Sequence, residues 1–566
     1  MTFEQLFTFL AYTLLALPFF SALTLFVTFK IFKKSTYKIS IFFCILTLFG
    51  ASFLAYLFYE NNLNEKLLFA NTLYTLNIGS LSIVMSVFVS LVGLVVHKFS
   101  IKYMYDEEGY IRFFILLDVM IGIILSLLFV GNIVVILIFW HLIGLTLYFI
   151  LVQNYTREKS SKYGFYSYFT HLLADIPLFF AAYLINKYYN TLDLHTFLST
   201  LDTVMVQEIH FLGFPISSLQ IIGFLIMLAA LIKSTQFPFH IWLAYTLEGP
   251  NPASALMHAG VVNAGAFLIN RFAPLFVHAD FALHLAFMVG FLTAVIASAL
   301  MLVQNDVKKA LAYSTIGQMG YMMLEIGVGA FALAVFHLIV HGLFKATLFL
   351  GSGDVIHNAR KAPNISGKSY FNFFFSEEDT DKTPWFIGAI LTTVAPMAIV
   401  VGIYLWLSGG LMHFQGDVIL LFFAWLTGAQ AIFSVYRSVL SKMWIMLFLT
   451  TLLFSIAIVA YLSLEHWFGS IIYANQALSA SIFATAAIPE LAFYAIISIA
   501  LFLVILGWIF AYYSNANRRI KINELTGFYH FLYKTLSREL YILDITSLIA
   551  SKLKALSLEL NRQFRY

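Results

Sequence analysis

The sequence predicts an all-α polytopic membrane protein with about 15 transmembrane helices, because a span needs roughly 20 apolar residues and such stretches recur along the whole chain. Of the 566 residues, 61% are apolar and only 11% are charged. Soluble domains average about 25% charged residues, so a water-covered surface cannot be built from this composition. Lipid is therefore expected to cover much of the protein.

The predicted spans follow one another with short connections. Lysine and arginine concentrate in every second loop, as in the loop with Lys33, Lys34 and Lys38. Basic loops favour the cytoplasmic side of a membrane. This bias predicts an odd number of spans, with the N-terminus outside and the C-terminus in the cytoplasm. The first apolar run is preceded by no basic n-region and followed by no small-residue cleavage site, so it is expected to be retained as a span. The spans lie near 5–29, 39–59, 78–97, 111–131, 132–154, 164–187, 218–241, 251–272, 281–303, 311–328, 331–355, 385–408, 416–437, 443–464 and 491–513.

Composition also excludes several classes of function. The net charge of +4 is small for this length, so a nucleic-acid-binding protein is not expected. Cys44 is the one cysteine, which rules out an intrachain disulfide and any multi-cysteine metal or cluster site. With no nucleotide loop or haem pair in the sequence, the chain is not expected to be a redox enzyme, and no cofactor or metal is predicted within it.

Ionisable residues inside the predicted spans are the strongest functional signal. Such groups are costly in a bilayer and mark ion pathways by default. The alternative is a structural histidine with satisfied hydrogen bonds, or a lysine whose ammonium reaches the interface. The main candidates are His141, His171, Asp175, Lys233, His258, His337, His341 and Lys345.

Lys233 lies deep in its span, within LAALIKSTQFPFHIWL. Pro238 follows and is expected to break the helix and free backbone carbonyls. A broken helix beside a buried charge is typical of transport sites. Because His240 and Trp242 suggest a nearby interface, an ammonium that reaches the membrane surface remains the alternative.

His337, His341 and Lys345 stand at i, i+4 and i+8 in FHLIVHGLFKATLFL, which places them on one helix face about 6 Å apart per step. Three titratable groups in a row form a possible proton relay, and His258 lies in the preceding sector. The unperturbed pKa of histidine suits proton transfer. A metal site at His337 and His341 is the competing interpretation, although no carboxylate or cysteine accompanies them in the motif.

Two weaker sets of charges accompany this path. His171 and Asp175 stand at i and i+4, so they could pair, for function or for stability. Asp306 and Lys309 lie at a loop–helix junction, where they could be ordinary helix-entry charges.

The segment 514–566 is charged and carries apolar residues at helical spacing, which predicts an amphipathic helix on the cytoplasmic face or against a partner protein. These residues are Ile542, Ile545, Ile549, Leu553, Leu556 and Leu560.

Two long motifs resemble the proton-conducting antiporter-like membrane subunits. They are LIKSTQFPFHIWLAYTLEGPNPASALMHAGVVNAGAFLINRFAPLF and NDVKKALAYSTIGQMGYMMLEIGVGAFALAVFHLIVHGLFKATLFLGSGDVI. This superfamily includes the large membrane-arm subunits of complex I, the large Mrp antiporter subunits and the membrane subunits of inorganic-carbon accumulation (DAB) complexes. The resemblance implies two inverted five-helix repeats, each with a broken helix, at Pro238 and Pro396.

The resemblance also implies roles for single residues. Lys233 matches the broken-helix lysine of the family, and His258 matches the histidine of the next helix. His337, His341 and Lys345 match the central relay, and Asp175 matches an acidic residue of the first repeat.

Two departures from the family pattern stand out. His141, in FWHLIGL, occupies the place of the usual glutamate, and WFIGAILTTVAPMAIVVGIYLWL carries no charge beyond its proline. The usual lysine–glutamate pair and the charged exit of the path are therefore missing.

The stretch MHAGVVNAGAFLINRFAPLF looks most like the inorganic-carbon branch. That likeness implies a bacterial inner-membrane subunit, not itself an enzyme, whose proton or sodium flow drives CO2 or bicarbonate accumulation. The partner would be a large cytoplasmic zinc protein similar to a β-carbonic anhydrase (DabA type), with the zinc in that partner. A proton-pumping subunit of a complex I-like oxidoreductase and a cation/proton antiporter are the alternatives.

The expected segments are N-terminal helices 1–110, repeats 111–272 and 273–440, further helices 441–513 and the tail 514–566.

Overall fold

The structure is a computed structural model. It describes residues 3–63, 65–68, 72–201, 203, 207–211, 214–246, 249–304, 306–361, 385–408, 418, 421–422, 424–425, 432, 443–473, 476–491, 493–495, 498–499, 502 and 526–564. The predicted spans 416–437 and 491–513 lie mostly outside these residues.

Helices dominate the described part of the chain, which confirms the predicted fold class. They are α1 (Phe3–Phe32), α2 (Tyr37–Glu60), α3 (Ser80–Tyr103), α4 (Tyr110–Phe129), α5 (Ile133–Leu151), α6 (Glu158–Tyr189), α7 (Leu194–Thr200), α8 (Ser218–Lys233), α9 (Ile241–Ala244), α10 (Asn251–Ala259), α11 (Ala264–Arg271), α12 (Asp280–Leu302), α13 (Val307–Gly327), α14 (Phe331–Lys361), α15 (Trp385–Ser408), α16 (Met443–Ile472), α17 (Gln476–Ala486), α18 (Thr526–Ser537) and α19 (Ile542–Gln563).

Ten helical segments among the described residues are long and apolar enough to cross a membrane. They include α1 to α6, which match the first six predicted spans. The predicted span 218–241 is shorter than expected, because α8 ends at Lys233 after 16 residues.

Two short antiparallel hairpins were not predicted. β1 (Glu65–Leu68) pairs with β2 (Leu76–Gly79), and β3 (Glu208–Phe211) pairs with β4 (Phe214–Ser217). Each hairpin immediately precedes a long helix, α3 or α8. Pairing satisfies the backbone groups of these connections before the chain enters the apolar helix.

The chain divides into two compact units. The first comprises Met1–Gly327, Ala334–Ile356 and His530–Tyr566, and the second comprises Val328–Leu333 and His357–Tyr529. The first unit contains every candidate path residue. The second unit includes α15 and α16, which pack around a small core.

The two prolines expected to break helices differ in their effect. The chain is not helical between Lys233 and Ile241, and Pro238 lies in this gap. In contrast, α15 continues from Trp385 to Ser408 through Pro396, so the predicted break at Pro396 is wrong for the described helix. Proline removes one backbone hydrogen bond, and transmembrane helices tolerate that loss without ending.

Small residues bring α12 and α13 into close contact. A Cβ on Gly290 would lie 2.7 Å from the carbonyl oxygen of Gly320, and one on Gly320 would lie 2.8 Å from that of Gly290. Both distances are too short for a side chain, so glycine is required on both helices. Helix packing in membranes relies on such small residues.

Candidate ion path

Lys233 is the last residue of α8 and is fully buried. Its ammonium donates a hydrogen bond to the carbonyl oxygen of Trp140 on α5 and lies 4.1 Å from the centre of the Trp140 ring. Its position at a helix C-terminus also suits a cation. The side chain therefore extends toward α5 and does not reach a surface of the structure.

The nonhelical segment after Lys233 is held by side chains. The Ser234 hydroxyl donates to the carbonyl oxygen of Val262 at 2.7 Å, and the amide of Phe237 donates to the Thr293 hydroxyl at 3.0 Å. Gly265 on α11 packs against this region, since a Cβ there would overlap the Ser234 hydroxyl and the Ala230 carbonyl oxygen. These contacts fix the end of α8 and hence the position of Lys233.

A carboxylate near Lys233 comes from α6. His141 Nδ1 lies 2.7 Å from Asp175 Oδ2, and the charge of Asp175 acts on Lys233. His141, which stands where the family pattern has a glutamate, thus forms a histidine–carboxylate pair with Asp175 on the neighbouring helix. The sequence placed both residues in the site but did not predict that they would pair with each other.

His171 does not pair with Asp175, so that predicted contact is wrong. The two residues lie one turn apart on α6, yet the Asp175 carboxylate is engaged by His141. The His171 ring packs edge-on against Trp242, with ring centres 4.5 Å apart. Both of its buried ring nitrogens lack a hydrogen-bond partner among the described residues.

His258 on α10 stacks on the ring of Phe349 on α14, with ring centres 4.0 Å apart and planes 13° from parallel. Gly342 allows this close approach, because a Cβ there would lie 3.0 Å from the carbonyl oxygen of Ala259. The structure therefore joins His258 to the helix of the central relay.

The central relay contains a carboxylate that the sequence analysis missed. His337 Nδ1 lies 3.0 Å from Glu325 Oε1, and its Nε2 lies 3.0 Å from Gln318 Oε1. The Glu325 carboxylate is an acceptor, so it fits a proton on Nδ1 of His337. Because both ring nitrogens of His337 are engaged by side chains, neither is free to bind a metal ion, which disfavours a metal site at His337. Glu325 lies inside the predicted span 311–328. A carboxylate inside a span is costly and marks a functional residue, so Glu325 could have been identified from the sequence on this ground.

His341 and Lys345 continue along α14. The rings of His337 and His341 have centres 6.1 Å apart, and both nitrogens of His341 are buried without a partner among the described residues. The Lys345 ammonium donates to the Ser314 hydroxyl at 2.8 Å. The spacing predicted for one helix face is present in the structure.

The C-terminal part of the tail, His530–Tyr566, belongs to the first unit and carries a buried carboxylate. Glu539 is 2% exposed, forms an ion pair with Lys309 and accepts a hydrogen bond from the Tyr245 hydroxyl at 2.9 Å. Burial and the charge of Glu539 raise the pKa of Tyr245. We call Tyr245, Lys309 and Glu539 the tail contact. Asp306 instead accepts from the Lys309 amide at 2.9 Å, as a helix-entry residue does.

Three consecutive residues with positive φ form the turn of the tail contact: Glu539 (54°), Leu540 (55°) and Tyr541 (61°). This left-handed backbone is unfavourable for residues other than glycine. It turns the chain between α18 and α19 and directs Glu539 inward. In α19, as predicted, the apolar residues lie in a helix, and Ile545, Ile549 and Leu556 are exposed.

Comparisons with known proteins identify the family of this chain. Residues 130–374 match the family described as NADH:quinone oxidoreductase/Mrp antiporter, transmembrane, and residues 71–114 match the N-terminus of chain 5 of NADH-ubiquinone oxidoreductase (complex I). The chain belongs to this family of antiporter-like, ion-transporting membrane subunits.

Among its relatives, the chain is 40% identical over 493 residues to the probable inorganic carbon transporter subunit DabB1 of Halothiobacillus neapolitanus. That alignment covers 87% of this chain and 88% of the relative. The chain is also 36% identical over 302 residues to the chloroplastic NAD(P)H-quinone oxidoreductase subunit 5 of Gossypium barbadense, covering 53% of this chain and 40% of the relative.

Two solved structures share the fold at 18% identity and a TM-score of 0.56. One belongs to the Mrp complex of Dietzia sp., where the match covers 98% of this chain and 63% of that chain. The other belongs to an archaeal membrane-bound sulfane sulfur reductase, with 95% and 99% covered. These relatives are subunits of larger membrane complexes.

Proposed function

We propose that this chain conducts protons as the membrane subunit of an energy-coupled inorganic-carbon accumulation complex. The observation that carries the proposal is the set of two histidine–carboxylate pairs, His141–Asp175 and Glu325–His337, in one unit with the buried Lys233. Similarity to DabB1 over 87% of the chain supports the carbon-accumulation branch.

The histidines between these pairs supply the intermediate steps. His171, His240 and His341 are buried, and none of their ring nitrogens has a hydrogen-bond partner among the described residues. Buried polar atoms are normally satisfied by protein or ordered water. Water bridging these nitrogens completes a proton path between Lys233 and Lys345.

The chemistry of the path favours protons over sodium. A hard cation is bound by several oxygen ligands, whereas the centre of the path consists of imidazole nitrogens and two ammonium groups. An ammonium repels a metal cation but exchanges a proton with a neighbouring imidazole or water. The carboxylates of Asp175 and Glu325 each contact a histidine, so each acts as a counter-charge within the path.

Catalysis belongs to a partner in this proposal. The partner is a large cytoplasmic zinc protein of the carbonic-anhydrase type, where hydration of CO2 yields bicarbonate and a proton. Ile545 and Leu556 are among the exposed apolar residues of α19. In this proposal the C-terminus is cytoplasmic and these residues face the partner. Proton flow through the membrane subunit makes the hydration unidirectional.

The test is bicarbonate-dependent growth and uptake in a bacterial strain without carbonic anhydrase, with the chain and its zinc partner expressed together. Lys233→Met and His341→Ala are expected to lower uptake at least about tenfold, equivalent to about 1.4 kcal/mol. The matched controls are Lys187→Met and His466→Ala, which change exposed residues of the same types. Membrane levels of each variant are measured in parallel.

A protonophore and a sodium-free buffer separate the two ions. Uptake that stops with the protonophore and persists without sodium supports proton conduction. Wild-type uptake by the Lys233→Met variant, at an equal membrane level, would contradict the proposed path.

The second candidate is a proton-pumping subunit of a quinone oxidoreductase, favoured by the match of residues 71–114 to complex I chain 5 and by the chloroplastic relative. Co-purification distinguishes the two. A zinc protein of the carbonic-anhydrase type supports the first candidate, while quinone-oxidoreductase subunits and NADH-driven pumping support the second.

A further inference from the structure

Three potential metal ligands meet far from the path residues in sequence. Cys44 on α2, His97 on α3 and Asp118 on α4 place their thiol, imidazole and carboxylate atoms within 4.8 Å of one another. His97 is fully buried, Asp118 is 2% exposed and Cys44 is 8% exposed. We call these three residues the Cys44 cluster. The proposed proton path does not use it.

The orientation of His97 is compatible with metal binding. Its Nδ1 lies 2.7 Å from the carbonyl oxygen of Gly93, so Nδ1 carries the proton and donates. Metal-binding histidines commonly donate their second nitrogen in this way. The other nitrogen, Nε2, faces the cluster and lies within contact distance of the Asp118 carboxylate.

The spacing of the ligand atoms also fits a shared ion. His97 Nε2 lies 3.1 Å from Asp118 Oδ1, and two ligands at about 2.0–2.1 Å from a tetrahedral Zn²⁺ are separated by roughly 3.3 Å. Cys44 Sγ lies 4.0 Å from the same oxygen, so a small side-chain movement completes the set. A cavity of about 10 Å³ borders Cys44 and Asp118.

Two serines hold the carboxylate in place. Ser21 donates to Asp118 Oδ2 at 2.7 Å, and Ser40 lies 3.0 Å from both carboxylate oxygens. Hydrogen bonds from neighbouring residues orient the ligands of metal sites and are part of their affinity.

Charge balance favours a divalent ion with affinity for sulfur. A thiolate and a carboxylate with a neutral imidazole carry two negative charges, which a divalent ion neutralises. A neutral cluster avoids the cost of an unpaired charge within apolar helices. Thiolate and imidazole select zinc-type ions over magnesium or calcium.

We propose that the Cys44 cluster is a binding site for one zinc-type divalent ion, which ties α2, α3 and α4 together. The sequence alone predicts no metal in this chain, because one cysteine and a histidine and an aspartate from other helices form no ligand motif. A plain histidine–aspartate contact beside a buried thiol is the alternative.

The test uses the full chain, purified in detergent with a histidine-free affinity tag, stripped with a chelator and kept reduced. Thiol titration in denaturant verifies that Cys44 is reduced. Co²⁺ is then added as the probe. The expected result is one Co²⁺ per chain with a thiolate-to-cobalt charge-transfer band, which must arise from Cys44 because the chain has no other cysteine.

Variants locate the other ligands. Cys44→Ser is expected to abolish the band, and His97→Gln and Asp118→Asn are expected to weaken Co²⁺ binding at least about tenfold. The matched control is His141→Gln, which removes the histidine of another histidine–aspartate pair and should retain wild-type binding. Monodisperse elution verifies that each variant is folded.

Absence of the charge-transfer band in the reduced wild-type chain under excess Co²⁺ would overturn the proposal, and this result needs no variant. Equal Co²⁺ binding by wild type and a folded Asp118→Asn variant would also overturn it.

Discussion

Glu539→Gln tests whether the tail contact holds the C-terminal helix. Glu539 is 2% exposed, pairs with Lys309 and accepts a hydrogen bond from Tyr245, so its replacement by glutamine removes a charged acceptor from a largely buried site. Hydrogen bonds to charged groups contribute about 1.5–3 kcal/mol. Because the Lys309 side chain is 19% exposed, water screens part of this interaction. We therefore expect a cost of about 2 kcal/mol.

The assay is amide hydrogen exchange of the full chain in detergent, followed over residues 542–563. Local opening is governed by the free energy of the contacts that hold a segment. A cost of about 2 kcal/mol predicts exchange about 30-fold faster in Glu539→Gln. The matched control is Glu559→Gln, which alters an exposed glutamate of α19 and should leave exchange unchanged.

A double-mutant cycle with Lys309→Met strengthens this test. If Glu539 and Lys309 interact, the double variant should cost less than the sum of the two single variants. Equal exchange in Glu539→Gln and Glu559→Gln, or strict additivity in the cycle, would refute the reasoning.

Three further predictions concern the path and its framework. Glu325→Gln removes the counter-charge of His337 and should lower bicarbonate uptake at least about tenfold. Glu490→Gln, which changes an exposed glutamate, should leave uptake unchanged. Equal uptake by both variants would show that Glu325 is not part of the path. Asp175→Asn should have a similar effect on uptake because it breaks the pair with His141, and normal uptake would show that this pair is structural. Gly265→Val should lower the thermal stability of the purified chain, since its side chain would overlap Ser234 and Ala230; an unchanged melting temperature would contradict the packing.

The alignment of several residues of the proposed path could be predicted from sequence because these residues follow simple periodicity. The histidines and the lysine of α14 repeat every four residues, so one helix suffices to align them. Lys233 could be identified as a candidate functional residue because a lysine inside an apolar span is costly and is rarely present without a function. These arguments need only the geometry of a single helix.

The pairing of residues from different helices was not predictable in this way. Asp175 pairs with His141 from α5, although His171 is its neighbour in the helix. Glu325 and His337 lie on separate helices, and Glu539 meets Lys309 across more than two hundred residues. Such contacts depend on how the helices pack, for which periodicity carries no information.

The sequence by itself determined the membrane character of this protein, its helical fold and the alignment of His337, His341 and Lys345 on one helix face. Hydrophobicity and helical spacing are local properties, so the order of residues is enough to specify them. Only the tertiary structure decided which carboxylate neutralises which histidine and that Cys44, His97 and Asp118 meet. The reason is physical: in an apolar interior each buried charge needs a partner within a few ångströms, and helix packing selects that partner.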